Sequence, residues 1–139
     1  MARLPAPTPS SRRSASALGG PPGALARAAT AADDRRANQI VVLDLRGLTD
    51  ATDYFLIASG TSDAHVRGLA DGIIGRLAEQ GIHPHHVEGV PTGRWVLLDY
   101  LDFVIHLFHP ETRAFYQLER LWGDAPSFPF ESTPQRKVP

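Results

Sequence analysis

The chain of 139 residues has no cysteine, a single lysine at position 137, and no apolar run long enough to cross a bilayer. The first absence excludes a disulfide framework, thiolate catalysis and cysteine-ligated zinc. The second leaves the body of the chain without the lysine that a phosphate-binding loop requires. The third excludes a membrane-spanning helix, because the longest continuous apolar stretches are only strand-sized. A Gly-x-x-x-x-Gly-Lys-Ser/Thr motif, a serine placed as a strained nucleophile and an internal repeat are also missing.

What remains is 42% apolar, enough for one small α/β domain with a single core. The formal net charge of −1 hides an uneven distribution. Residues 1–32 carry Arg3, Arg12, Arg13 and Arg27 and no acid, whereas residues 33–126 carry eight arginines against fourteen Asp and Glu. A surface with that excess of acid repels phosphate backbones and suits a basic protein partner, so neither direct DNA binding nor a membrane is expected.

Composition divides the chain in three. Residues 1–22, rich in Pro, Ser, Ala, Gly and Arg, cannot bury enough apolar surface to offset the entropy of ordering and are expected to be a disordered leader. Being acid-free and Arg-rich, the leader also fits an organellar transit peptide. Residues 23–125 are the expected domain, and residues 126–139, with Pro126, Pro129, Pro134 and Pro139, a disordered tail.

Within the domain, Ala24–Ala37 holds good helix formers but few large residues, and predicts a short, weakly docked helix. Ile40–Leu45 and Tyr54–Ser59 are apolar runs of strand length, as in strands buried on both faces. Gly60-Thr61-Ser62 then breaks the second strand, with Thr61 or Ser62 capping a helix to about Gln80 and Gly81 as its stop. Val66, Leu69, Ala70, Ile73 and Leu77 form its inward stripe. Gly68, Gly72 and Gly75 share the opposite side, as close-approach points for a partner or as unconstrained solvent positions. A short extended piece at His86–Glu88, a turn through Pro91-Thr92-Gly93, and a hairpin of Trp95–Tyr100 with Phe103–Phe108 follow. Pro110 opens a last helix over Glu111–Trp122, with Phe115, Leu118 and Trp122 facing inward.

Few of these residues can do chemistry. The strand, Gly-Thr-Ser, helix sequence reads as a capped helix start and not as a phosphate loop. Nucleotidyl transfer needs two carboxylates sharing Mg²⁺ on one strand face, and Asp99 and Asp102 flank a turn instead. His83, His85, His86 and Glu88 are crowded, but Pro84 prevents helical ligand spacing, so a solvated loop is expected there. His106, inside an apolar strand, reads as a core histidine, and His65 with Asp63 forms no triad. No catalytic residue, metal or cofactor is expected. The hairpin is left: Trp95, Leu97 and Asp99 point one way and Val96, Leu98 and Tyr100 the other. One set lines the core. The other leaves an aromatic ring near Glu88, Asp99 and Asp102, the composition of an interface anchor with an acidic rim.

The segments Ile-Val-Val-Leu-Asp-Leu-Arg-Gly-Leu-Thr (40–49), Asp-Tyr-Phe-Leu-Ile-Ala-Ser-Gly-Thr-Ser-Asp-Ala-His-Val-Arg (53–67), His-Val-Glu-Gly (86–89), Trp-Val-Leu-Leu-Asp (95–99) and Arg-Ala-Phe-Tyr-Gln-Leu-Glu-Arg-Leu-Trp-Gly-Asp-Ala (113–125) resemble the ribosomal silencing factor (RsfS/Iojap) family, in order and without large gaps. The resemblance implies an α/β single domain with a mixed five-stranded β-sheet flanked by helices, nucleotidyltransferase-like without the active site. It implies a non-enzymatic repressor of translation that binds the large ribosomal subunit through its protein uL14 and sterically blocks subunit association under nutrient limitation. A homodimer when free, a bacterial cytoplasmic location, and the alternatives of an organellar large-subunit assembly factor or a nucleotidyltransferase-like enzyme belong to the same reading. By position, the family's partner-binding residues correspond to Trp95, Leu97 and Tyr100, with Glu88, Asp99 and Asp102 as partners for basic side chains. One departure concerns the turn: the family has glycine between Tyr100 and Asp102, where Leu101 must either adopt a costly conformation or alter the turn.

Overall fold

Apolar runs of strand length build a sheet in the computed structural model, which describes residues 23–130; the expected leader and residues 131–139 lie outside the described part. In chain order the elements are α1 (Gly23–Asp34), β1 (Asn38–Asp44), β2 (Tyr54–Ser59), α2 (Asp63–Ala78), β3 (His86–Glu88), β4 (Trp95–Asp99), β5 (Phe103–Phe108), α3 (Pro110–Tyr116), α4 (Leu118–Leu121) and β6 (Ser127–Pro129). The sheet runs β3-β4-β5-β2-β1-β6. Only β2 and β5 are parallel neighbours; all other pairs are antiparallel. The mixed α/β class is as expected.

The sheet has six strands and not five, because the segment after Pro126 joins its edge. Phe128 pairs with Val42, the Asp44 N–H donates to the Pro126 carbonyl at 2.9 Å, and the Phe130 N–H donates to the Ile40 carbonyl at 2.8 Å. Proline was the signal for a tail, yet an edge strand tolerates Pro129 because one side of an edge carries no ladder bond.

One sheet face is sealed by α1 and α2. Val66, Leu69, Ala70, Ile73 and Leu77, the predicted stripe, pack with Leu56, Val96, Leu98, Ile105 and Leu107, all fully buried. Helix α2 starts as its sequence requires, with the Ser62 hydroxyl accepting from the His65 N–H at 3.0 Å. Helix α1, expected to dock weakly, is instead part of this core: Leu25, Ala28, Ala29, Ala31 and Ala32 are all buried. Alanine supplies little area per residue, but it lets two helices approach closely, so a single leucine can anchor the contact. Polar bonds hold its end: His65 Nε2 to the Arg35 carbonyl at 2.8 Å and Arg76 to Asp34 at 3.0 Å. Gly72 is explained here, since a Cβ would collide with the Arg35 side chain lying across it, while Gly68 and Gly75 face open space.

The other face carries a smaller core of Leu43, Leu45, Ile57, Phe108, Leu118 and Ala125, with Phe55, Trp95 and Trp122 partly buried beside it. Its cover is two short helices, where one helix over 111–122 was expected. Pro110 opens α3 as predicted, with the His109 side chain accepting from the Glu111 N–H at 3.2 Å. The helix stops at Gln117, which adopts a left-handed conformation (φ 47°). That break changes the helical phase. Leu118 turns inward, Trp122 is half-buried, and Phe115, expected inside, is 78% exposed, while Arg113 is buried in its stead.

Candidate functional site: the half-covered aromatic face

The hairpin decides which predicted docking residues share a surface. Directly opposed residues of an antiparallel pair point to the same side. The pairs His86 with Asp99, Glu88 with Leu97, Leu97 with His106 and Trp95 with Phe108 therefore place Glu88, Trp95, Leu97 and Asp99 on the half-covered face. Val96 and Leu98 point into the sealed core. So does Tyr100, 8% exposed and stacked on Phe103 at 5.0 Å, which removes it from the surface that Trp95 occupies. Burial pushes its phenol up to about 12.

Trp95 sits at the centre of an aromatic chain. Its ring lies 4.7 Å from Tyr116 and 5.0 Å from Phe108, and Tyr116 in turn meets Phe115 at 4.9 Å. Towards α4 the chain continues from His106 to Phe55 at 4.5 Å and from Phe55 to Trp122 at 5.9 Å. The Trp95 indole N–H donates to His106 Nδ1 at 3.1 Å. His106 is accordingly the Nε2–H tautomer, and its buried Nε2 meets no partner among the described residues. Burial lowers its pKa to about 4, so the ring stays neutral at physiological pH. The core histidine read from the sequence is also the anchor that orients Trp95.

Apolar surface rims this chain. Phe115, Leu121 (74% exposed) and Tyr116 (50% exposed) stand out on α3 and α4. Phe115 and Tyr116 touch each other, so their exposed rings form one apolar patch that continues from Trp95. Sequence reasoning missed Phe115, Tyr116 and Leu121 because it ran one helix through Gln117; the missing signal was a left-handed break that glutamine does not advertise.

The three acidic groups lie along the hairpin away from the aromatic patch, with defined roles. Glu88 pairs with His86 at 2.6 Å on the strand surface. Asp99 Oδ1 accepts from the Leu101 N–H at 2.8 Å, so this carboxylate also shapes the turn. Asp102 is exposed at the hairpin tip. Of the two alternatives for Leu101, the structure shows the costly one, with φ 72°. Five hydrogen bonds hold the turn: the Leu101 N–H to Asp99 Oδ1, the Tyr100 N–H to the Phe103 carbonyl (2.9 Å), the Asp102 N–H to the Tyr100 carbonyl (2.9 Å), the Thr52 hydroxyl to the Leu101 carbonyl (2.9 Å), and the Asp53 N–H to the Asp102 carbonyl (3.0 Å). Gly89 in the β3–β4 connection is required sterically, since a Cβ there would strike the Trp95 carbonyl.

Among the described residues no group of three or more His, Asp or Glu could hold a metal ion, and His83, His85 and His86 lie exposed. No described helix is long and apolar enough to cross a membrane.

Known proteins share this chain's pattern. The profile of the family described as "ribosomal silencing factor during starvation" matches residues 21–138. The ribosomal silencing factor RsfS of Bacillus subtilis (strain 168) is 48% identical over 99 residues, covering 71% of this chain and 84% of that protein. A crystal structure of a Chromobacterium violaceum protein superimposes with a TM-score of 0.70 at 34% identity, covering 72% of this chain and 83% of that one. Organellar proteins also match. The Arabidopsis thaliana protein named "Iojap, chloroplastic" is 35% identical over 116 residues (77% of this chain, 45% of that protein). The mouse protein named "mitochondrial assembly of ribosomal large subunit protein 1" is 35% identical over 89 residues (62% and 39%).

Proposed function

The chain belongs to the ribosomal silencing factor family, and from that premise we propose that it docks on the large ribosomal subunit through the ribosomal protein uL14 and sterically blocks joining of the small subunit. The observation that carries the reading is the half-exposed Trp95, fixed by His106 and set in an aromatic surface, with Leu97, Glu88 and Asp99 further along the same face of the hairpin and Asp102 exposed at its tip. A rigid aromatic anchor gains more on burial than a mobile side chain, because little rotamer entropy is lost. The acidic rim suits a basic ribosomal protein and speeds encounter. Leu97 shares the face, whereas Tyr100 supports the hairpin from within. Repression by occupancy requires no turnover, so the protein acts without catalysis, in the bacterial cytoplasm, lowering translation when nutrients are scarce.

The test is co-sedimentation with purified large subunits. Trp95→Ala and, separately, Asp102→Arg abolish it while circular dichroism shows the fold retained; unchanged co-sedimentation of both variants overturns the reading. The names of the organellar relatives favour a second one, assembly of an organellar large subunit through the same surface. Mass spectrometry of the mature N-terminus separates the two: cleavage of the Arg-rich leader indicates import, and an intact leader indicates a bacterial factor.

A further inference from the structure

Beyond the carboxyl ends of β2 and β5, the parallel pair of the sheet, lies a second feature that the docking surface does not use. A cleft of about 690 Å³ is lined by Ser59 at the end of β2, by Asn38 and Gln39 at the start of β1, and by Arg113, Gln117, Glu119 and Arg120 of the α3–α4 segment. Its volume falls within the range of small-molecule sites, and the ends of parallel strands are where α/β sheets place them. A smaller groove lined by Gln39, Arg113 and Glu119, with Asp33 along its wall, continues it past Val41 and Pro129.

Arg113 organises the cleft. Although only 8% exposed, its guanidinium donates to the Ser59 hydroxyl at 2.9 Å and, from Nε and Nη2, to Glu119 Oε2 at 3.2 and 2.5 Å. Burial tends to raise the pKa of Glu119, but the hydrogen bond and charge of Arg113 outweigh it and hold the carboxyl below its ordinary value. An arginine has five N–H donors, so two on this buried group have no acceptor among the described residues. Arg120 adds a second guanidinium, held by Gln117 Oε1 at 3.1 Å. With Arg113 and Glu119 cancelling, Arg120 leaves the main cleft net positive in a domain that is otherwise acidic. Gln39 (φ 52°) and Gln117 (φ 47°), two of the four non-glycine residues with positive φ among the described residues, both line it. Strained backbone of this kind concentrates at ligand sites.

We propose that this cleft binds a small phosphate-bearing ligand, with the phosphate on the remaining Arg113 donors and Arg120, and the polar body of the molecule on the amides of Asn38, Gln39 and Gln117. Two guanidinia suit a dianion, which they can grip with paired N–H groups. The site has no carboxylate pair to hold a metal, so binding is independent of Mg²⁺ and separate from nucleotidyl transfer.

NMR titration of ¹⁵N-labelled full-length protein with inorganic phosphate and with adenosine 5′-monophosphate, in EDTA, tests this. Saturable shifts are expected at the Gln39, Ser59, Gly60 and Gln117 amides at millimolar ligand or below. Arg120→Gln, at an exposed position that leaves the fold intact, should weaken binding about tenfold by deleting one charge-assisted contact. Equal affinity for the two probes identifies free phosphate as the ligand, and tighter binding of the nucleotide identifies a phosphorylated molecule. Absence of saturable shifts with both probes, shifts located away from the cleft, or shifts unchanged in Arg120→Gln overturns the proposal. None of these readouts depends on ribosome docking.

Discussion

Leu97 and Leu98 are neighbours on one strand, yet they belong to surfaces with opposite fates. Leu98 points into the face covered by α1 and α2, where the central large side chains are sealed and the partly buried ones, such as Ile74 and Ile82, lie at the periphery. Leu97 points to the face covered by the two short helices α3 and α4, which leave Trp95 half-buried and Phe115, Tyr116 and Leu121 exposed. The sealed face accounts for stability, whereas the half-covered face retains apolar surface that a free protein would gain by burying. The difference teaches that the aromatic residues of one small domain divide by face, and that position in the chain does not sort them: Tyr100 and Trp95 lie five residues apart on one hairpin with opposite roles.

The largest expected effect sharpens this contrast. Leu98→Ala should cost about 2–5 kcal/mol by removing a fully buried side chain, whereas Leu97→Ala should cost less than about 1 kcal/mol. Urea unfolding of both variants measures it, and equal losses would mean that the half-covered face is as tightly packed as the sealed one.

A comparable effect is expected from pH, at the centre of the half-covered face. His106 has a native pKa of about 4, below the 6.5 of an unfolded histidine. The unfolded chain therefore binds a proton at a pH where the native one does not, and stability falls as pH drops from about 6.5 towards 4, by roughly 3 kcal/mol from this group. Above that window the contribution is constant. His106→Phe should lose this part of the acid sensitivity; chemical denaturation of wild type and variant at pH 7 and at pH 5 gives the comparison, and parallel losses would show that the ring under Trp95 is not shielded from water.

The smallest effect lies at the turn joining β4 and β5. Replacing Leu101, held at φ 72°, by glycine should relieve left-handed strain and raise stability by about 0.5–1 kcal/mol, after allowing for the greater unfolded-state freedom of glycine. A higher melting temperature with unchanged large-subunit binding is the expected result. A lower one would mean that the half-exposed leucine side chain contributes packing that offsets its backbone strain.

Much of the fold was legible because its signals are local. The α2 stripe, the Ser62 cap, the Pro110 start, the strand at Tyr54–Ser59 and the β4–β5 hairpin follow from periodicity and capping chemistry, and the structure reproduces them. The candidate site was legible in part. Trp95, Leu97, Glu88 and Asp99 share a face as strand alternation requires, but alternation could not say which face the helices would seal, and so it could not separate Tyr100 from Trp95. Non-local pairing hid the rest. Pro126 and Pro129 carry the composition of a tail, and only the open edge of β1 makes a strand of the residues around them.

The sequence by itself determined the element types from α1 to α4, the existence of the β4–β5 hairpin, the acidic balance and the family, because each is written in residues close together in the chain or in their order along it. The tertiary structure decided which aromatic rings are anchors and which are core, that α1 is packed and not loosely attached, and that a left-handed Gln117 turns Phe115 outward while bringing Arg113 against Ser59 and Glu119. Those outcomes depend on competition between distant segments for one buried surface. A side chain's exposure is set by what packs over it, and that is not encoded in its immediate neighbours.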